Sequence, residues 1–418
     1  MTKMRSNMAA VNYKYNYLIL FLYPLYLYVT LFARYGTIWI TVSYLLLLLY
    51  TLLVMLAKSI TLKINSPCLL FLGFALFSLV STWWADNRRL ALMKSIHMLS
   101  MAAFLIVMYS YFASIGLMKF FLWSYIIVNC TLFMHTVFFF GFERVITFSK
   151  RLPNDLLNSN RMGMSAAFAF LCCLFLFLNH KKAIVSVLML PLLLLAMASW
   201  SRKALIIVAL GTSGYILYHF WCIGKAMSRL LHLTISATLV IALTLALSTY
   251  TEDFAASSII RRFDILLDYF FGSGSGDGSI KDRVRMIELG WEIFGSAPFR
   301  GIGCDNARAL NGGAYLHNNY IDLLANLGLI GFTLYHSLYA FILYKLWPLL
   351  RNKNQMAGFV TIILLLQLIV DYGQVSYDFP STISQFTFAM CVADKCPPAK
   401  VKEVRVEGRG SIKGGEST

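Results

Sequence analysis

Residues 38–57, IWITVSYLLLLLYTLLVMLA, form the stretch that decides the fold. Twenty uncharged residues make a helix about 30 Å long, which is enough to cross the hydrocarbon core of a bilayer. The bilayer core offers no water to backbone amides, so such a segment must be helical. The rest of the chain has the same character, because 59% of its 418 residues are hydrophobic and only 13% are charged.

Similar segments recur along the chain, and the period-two alternation of a membrane β-barrel is absent. We therefore predict an all-α polytopic membrane protein of about 12 transmembrane helices with one long outer loop. Nine spans are expected within 1–249, a loop with an amphipathic helix at 250–316, three spans within 317–394, and a disordered cytoplasmic tail at 395–418. The predicted spans lie near 15–33, 38–57, 67–84, 90–112, 120–141, 162–179, 183–199, 204–222, 231–249, 318–344, 356–372 and 380–394.

The net charge of +17 would indicate nucleic-acid binding in a soluble protein, but here the charges occupy short loops between apolar spans. With the N-terminus in the cytoplasm, the inner segments hold 19 basic and 4 acidic residues, and the outer segments hold 17 and 15. This asymmetry obeys the positive-inside rule. The charge thus predicts an orientation in a membrane and no nucleic-acid partner, and it places both long polar stretches, 142–161 and 250–316, outside.

Several arginines lie in outer segments, where the positive-inside rule disfavours them. Arg202 and Lys203 open the eighth span, and a guanidinium at a helix N-terminus suits a phosphate or diphosphate. Arg88 opens the fourth span and is a further candidate for substrate binding. The alternative is that its side chain extends to lipid headgroups. Arg161 follows an Asn-rich stretch before the sixth span, and it is a further candidate for substrate binding by position alone.

The long loop contains a predicted amphipathic helix that begins at Asp282, an expected N-cap, and ends before Pro298. Arg283 and Arg285 fall in its first turn, where cations are unfavourable unless an anion is near. The alternative is that both arginines pair with acidic residues of the same helix. Its apolar face is predicted to be Val284, Ile287, Trp291 and Phe294, and the alternative ion-pair partners are Glu288 and Glu292.

The loop is followed by His317, Asn318 and Asp322 at the start of the tenth span. A histidine here could accept a proton from a sugar hydroxyl near neutral pH. Asn318 and Asp322 share a helix face and are candidates for substrate binding. The alternative is that Asn318 or Asn319 simply caps the helix.

These residues resemble the bacterial O-antigen ligase and polymerase superfamily. The resemblance rests on the Ser201-Arg202 step and on a loop that starts at Arg283 and ends in Pro298 and Gly301-Ile302-Gly303. The resemblance also rests on a motif in which His317-Asn318 is followed, after nine residues, by Gly328-Leu329-Ile330-Gly331.

The resemblance implies an inverting, metal-independent glycosyltransferase that needs no cofactor. It acts at the periplasmic face of the bacterial inner membrane, among membrane lipids, on a glycan carried by undecaprenyl diphosphate. A ligase passes the glycan to lipid A–core of lipopolysaccharide, and a polymerase passes it to another lipid-linked glycan. Carried over here, Arg202 and Arg283 would bind the diphosphate and His317 would face the acceptor, with Arg285 able to replace Arg283.

Three other functions stay open on the sequence. A repeat-unit polymerase shares every motif with a ligase. A transporter of lipid-linked sugars would need charges buried inside helices, and Lys94 and His97 are the main ones of this kind. A purely structural subunit leaves Arg202, Arg283 and His317 without an explanation.

Overall fold

The computed structural model describes residues 18–19, 21–31, 37–116, 118–147, 158–181, 183–223 and 278–394. These residues form helices and connecting turns, with no strand among them. The helices are α1 (Phe21–Leu31), α2 (Thr37–Ala57), α3 (Ser66–Val80), α4 (Arg88–Ile115), α5 (Met118–Phe140), α6 (Phe142–Thr147), α7 (Ser159–His180), α8 (Ala183–Ala198), α9 (Arg202–Ile223), α10 (Gly278–Ser296), α11 (Asn306–Leu310), α12 (Asn319–Arg351), α13 (Gln355–Asp371) and α14 (Pro380–Ala393).

The prediction of an all-α membrane protein is confirmed, whereas the number of twelve spans is not. Among the described residues, α2, α4, α5, α7, α9, α12 and the stretch Ser66–Trp83 are long and apolar enough to cross a membrane. The apolar helices α1, α8 and α13 lie at predicted spans but are shorter. The predicted span 231–249, the first part of the loop (250–277) and the tail 395–418 fall outside the described residues.

The core of the bundle is rich in aromatic side chains that pack edge to face. Tyr23 of α1 packs on Phe112 of α4 and Phe121 of α5, with ring centroids 5.7 and 5.6 Å apart. Phe121 in turn stacks on Phe388 of α14 at 5.2 Å. Such contacts join helices that are far apart in sequence, and they hold α1, α4, α5 and α14 together.

Helix α12 is broken at Gly328, whose φ of 62° and ψ of −165° are accessible to glycine alone. The amides after the break donate to the preceding loop, from Leu329 N to Pro298 O (2.8 Å) and from Ile330 N to Phe299 O (3.2 Å). We call the loop segment 298–303 the clasp. It satisfies backbone groups that the break would otherwise leave unpaired in an apolar setting.

The clasp also fastens the loop to the turn between α3 and α4. Trp84 Nε1 donates to Gly301 O (3.2 Å), and directly after the clasp the amide of Cys304 donates to Ser81 Oγ (2.9 Å). Because α10 leads directly into the clasp, the position of α10 depends on the break in α12.

Helix α10 differs from its predicted form in two respects. It begins at Gly278, so Asp282 is an internal residue and the predicted cap is wrong. Its buried side is centred on Gly290 and Ile293, which pack against the start of α12, while Trp291 is 51% exposed. A side chain at Gly290 would collide with Ile321 of α12, so this glycine sets how closely the two helices approach.

Candidate active site

The loop 372–379, between α13 and α14, gathers several helices at one end of the bundle. Lys203 of α9 donates to Gly373 O, Lys94 of α4 pairs with Asp378, and Arg161 of α7 lies over the ring of Phe379. The start of α12 joins them, because Asn319 Nδ2 donates to Asp371 Oδ2 at the end of α13 (3.2 Å). We call this end of the bundle the site end.

The turn before α9 is built by two buried serines. Ser199 Oγ accepts from the amide of Ser201 (3.2 Å), and Ser201 Oγ accepts from the amide of Ala204 (3.4 Å), so Ser201 caps the helix. A Cβ at Gly163 of α7 would overlap Ser199, so the glycine lets α7 approach this turn. Arg202 is the first residue of α9, as predicted, and its side chain lies outside the described part of the chain.

Lys203 points toward the loop 372–379 and lies close enough to Arg283 for the two positive charges to interact. Besides Gly373 O, its ammonium donates to Gln374 Oε1 (3.4 Å). Asp371 supplies the balancing negative charge. That carboxylate is buried and accepts from Gln367 (2.8 Å), Ser376 and Asn319, so its position is closely determined.

His317 lies within range of both charges. Its φ of 56° turns the chain sharply before α12, a conformation that histidine tolerates better than most residues. The pKa of His317 is lowered from 6.5, first because surrounding atoms exclude water from part of the ring and then because Arg283 and Lys203 are nearby. The imidazole is therefore mainly neutral near pH 7 and can accept a proton.

The next residue, Asn318, caps α12. Its Oδ1 accepts from the amides of Tyr320 (3.0 Å) and Ile321 (3.2 Å), and the side chain is only 3% exposed. The alternative that Asn318 is a helix cap is thereby confirmed, and the cap fixes the turn that carries His317.

Arg283 and Arg285 differ in their surroundings. Both side chains are exposed, but it is Arg283 whose charge acts on His317 and Lys203. Side chains two positions apart along an α-helix differ in direction by about 200°, so Arg285 lies on a different side of α10 from Arg283. Within the described residues, neither arginine pairs with Glu288 or Glu292, so the ion-pair alternative finds no support there.

Asp322 belongs to a second, buried polar cluster at the site end. Its Oδ2 accepts from Tyr377 OH (3.1 Å) and Asn326 Nδ2 (3.1 Å), so both of these contacts are internal to the protein. Close by, Lys94 forms an ion pair with Asp378, and its ammonium lies 5.0 Å from the ring centroid of Tyr315.

The ion pair of Lys94 and Asp378 has no counterpart among the predicted site residues. Burial alone would raise the pKa of Asp378, but the charges of Lys94 and His97 lower it below its usual value. The backbone oxygen of Asp378 also lies 3.2 Å from His97 Nε2. Lys94 and His97 are the residues inside a helix that a transport path would need. Both contact Asp378 in the loop 372–379 at the site end.

The remaining predicted residues lie at the site end without joining Arg283 and His317. Arg161 is in the first turn of α7, and its guanidinium lies 4.0 Å from the ring centroid of Phe379. Arg88 is the first residue of α4, and its side chain is exposed.

The structure therefore brings Arg283, Lys203 and His317 together, with the backbone of Arg202 one residue from Lys203. Two cations beside a neutral imidazole can stabilise an anionic leaving group while a proton is removed from a nucleophile. The loop 372–379 was missed from the sequence, because its only signal was Lys94 inside an apolar span, and Lys94 does not reveal its partner.

Residues 187–336 match the family model described as O-antigen ligase. The matched segment runs from α8 into α12 and contains Arg202, Lys203, Arg283 and His317. Among curated proteins, none matches the chain.

Proposed function

Residues 187–336 belong to the O-antigen ligase superfamily, and from this premise we propose that the chain is a membrane glycosyltransferase of polysaccharide biosynthesis. In the proposed reaction, a glycan leaves undecaprenyl diphosphate and joins a sugar hydroxyl of lipid A–core at the periplasmic face of the inner membrane. The observation that carries the proposal is the gathering of Arg283, Lys203 and His317 within the matched segment.

His317 acts on the acceptor in this proposal. The acceptor hydroxyl gives its proton to the neutral imidazole, and its oxygen attacks the anomeric carbon of the donor sugar. The lowered pKa of His317 supports this role, because an imidazolium could not accept the proton. Attack on the face opposite the leaving group inverts the anomeric configuration.

Arg202, Lys203 and Arg283 act on the donor. The bond between the anomeric carbon and the diphosphate oxygen breaks, and both electrons go to that oxygen. Cations held in a partly dehydrated site stabilise this charge without a metal ion, and loss of one such group typically costs about 10²–10³ in rate. Arg202 and Lys203 lie at the N-terminus of α9 and beside the loop 372–379, which suits a diphosphate at the membrane boundary.

Transfer from a lipid-linked donor in proteoliposomes tests the proposal. Arg283→Gln should lower kcat/KM about 100-fold or more, while Arg351→Gln, at the opposite end of α12, should leave it unchanged. Arg285→Gln should have a smaller effect than Arg283→Gln. Full activity of Arg283→Gln would contradict the proposed role of this residue.

The lipopolysaccharide of a deletion strain tests the choice of acceptor. A ligase predicts that no glycan is attached to lipid A–core while long lipid-linked chains accumulate. Attachment of single repeats would instead assign the chain as a polymerase. The O-antigen ligase match is the observation that favours the first result.

A further inference from the structure

A second polar feature at the site end is a crevice between α7 and α14, with α5 and α13 at its sides. Its volume is about 50 Å³. Its polar lining contains the guanidinium of Arg161, the amides of Gln367, Gln374 and Gln385, and several hydroxyl groups. None of these residues belongs to the group of Arg283, Lys203 and His317.

The side chains of Arg161 and Gln385 line the crevice but have few polar partners there. The guanidinium of Arg161 lies against Phe379 and within range of the charge of Asp378, but within the described residues it makes no hydrogen bond or close ion pair. Gln385 is 6% exposed, and its Oε1 lacks a hydrogen-bond partner in the same part of the chain. A buried amide oxygen without a donor is costly, so it points to a hydroxyl or another donor group that completes the crevice.

The crevice is connected to the proposed diphosphate site through Gln374. This residue lines the crevice, and its Oε1 accepts from Lys203, which is within range of Arg283. A substrate held by Arg283 and Lys203 could therefore extend toward Arg161.

The inner end of the crevice is closed by apolar side chains. A small void beyond Gln385 is lined by Phe121, Phe168 and Phe388, among others, and has a volume of only about 20 Å³. The polar part ends there, so the crevice is not a path for a polar solute across the bundle.

The size and chemistry of the crevice restrict its ligand. A water needs roughly 10–15 Å³ of such space, so about 50 Å³ admits one carboxylate or phosphate group but not a whole sugar ring. The planar donors of Arg161 match an oxyanion with two acceptor atoms. The amides and hydroxyl groups can bind hydroxyls next to that anion.

We propose that this crevice binds the acidic group, carboxylate or phosphate, of a sugar in the glycan substrate, with Arg161 as the main contact of the anion and Gln385 Oε1, at the base, accepting from a neighbouring hydroxyl. The proposal rests on the proposed function for the identity of the substrate. It assigns Arg161 to glycan recognition and leaves the diphosphate to Arg202, Lys203 and Arg283.

Binding of small probes tests the crevice without any transfer reaction. The protein is placed in phosphatidylcholine nanodiscs, and affinities are measured for methyl glucuronoside, glucose 6-phosphate and the neutral methyl glucoside. At least one acidic probe should bind about tenfold or more tightly than the neutral sugar. Arg161→Gln should remove this preference, Arg161→Lys should reduce it, and Arg351→Gln should preserve it.

Several outcomes would overturn the proposal. One is equal binding of acidic and neutral probes, and another is unchanged binding by Arg161→Gln. Gln385→Leu provides a second variant at the base of the crevice, and it should weaken binding without altering the charge. Displacement of the acidic probe by added phosphatidylglycerol would assign the crevice to a lipid headgroup and reject the sugar.

Kinetics then separate the two possible sources of the acidic sugar. If the donor carries it, Arg161→Gln should raise KM for the donor with kcat changed little, and if the acceptor carries it, KM for the acceptor should rise. Unchanged KM values for both would overturn the proposed role in glycan recognition. Absence of transfer by the wild-type protein would reject the proposed function, while the binding result on the crevice would still stand.

Discussion

The substitution Gly328→Ala tests the link between the broken helix and the site. Alanine in this backbone conformation costs about 1–3 kcal/mol. Its Cβ would lie 2.4 Å from the carbonyl carbon and oxygen of Phe299, so the clasp must move. The two hydrogen bonds from Leu329 and Ile330 to the clasp contribute about 1 kcal/mol each. We expect a total destabilisation of roughly 3–5 kcal/mol.

Thermal unfolding in detergent and transfer in proteoliposomes measure the effect of Gly328→Ala. The unfolding midpoint should fall by roughly 3–6 °C, because the unfolding entropy of a chain this long is large. Activity should fall as well, because a displaced clasp moves α10 and with it Arg283. Gly73→Ala is the matched control, since this glycine is helical and the nearest atom to an added Cβ is 4.0 Å away. Equal midpoints and rates for the two variants would refute the reasoning.

Three further outcomes follow from contacts at the site end. Lys94→Met leaves Asp378 without its partner and should lower the unfolding free energy by about 3–5 kcal/mol, and adding Asp378→Leu should restore most of it. Asn318→Ala should lower the unfolding free energy by about 1 kcal/mol, while Asn318→Asp keeps the cap; an unchanged unfolding midpoint for Lys94→Met or Asn318→Ala would contradict these contacts. The lowered pKa of His317 places the acid limb of the kcat/KM profile below pH 6.5, and Arg283→Gln should move that limb upward because a nearby positive charge is lost.

Hydropathy predicted where the helices lie but not how α12 is interrupted. Replacing one apolar helical residue by glycine hardly changes the hydropathy of a segment, so Gly328 lies inside the single span predicted at 318–344. The break depends on hydrogen bonds that amides of α12 donate to the clasp, which lies about 30 residues earlier in the chain. Such a partner cannot be found from a local pattern.

The residues of the candidate site, like the helices, could be predicted from the sequence only in part. Charge placement and the family resemblance singled out Arg283, Lys203 and His317, which the structure brings within range of one another. The role of Asp378 was not predicted, because an aspartate in a short loop reveals nothing about a lysine nearly 300 residues away. The apolar face predicted for α10 was wrong at Trp291, which is exposed, while Ile287 packs as expected against the buried cluster around Ile293.

A double-mutant cycle on transfer tests most directly whether Arg283 and His317 serve one reaction centre. Each alanine variant should lower kcat/KM about 100-fold or more. If both groups act on the same transition state, the double variant should lose far less than the product of the two single losses. A double loss equal to that product, or a fully active single variant, would show that these residues do not share a catalytic site.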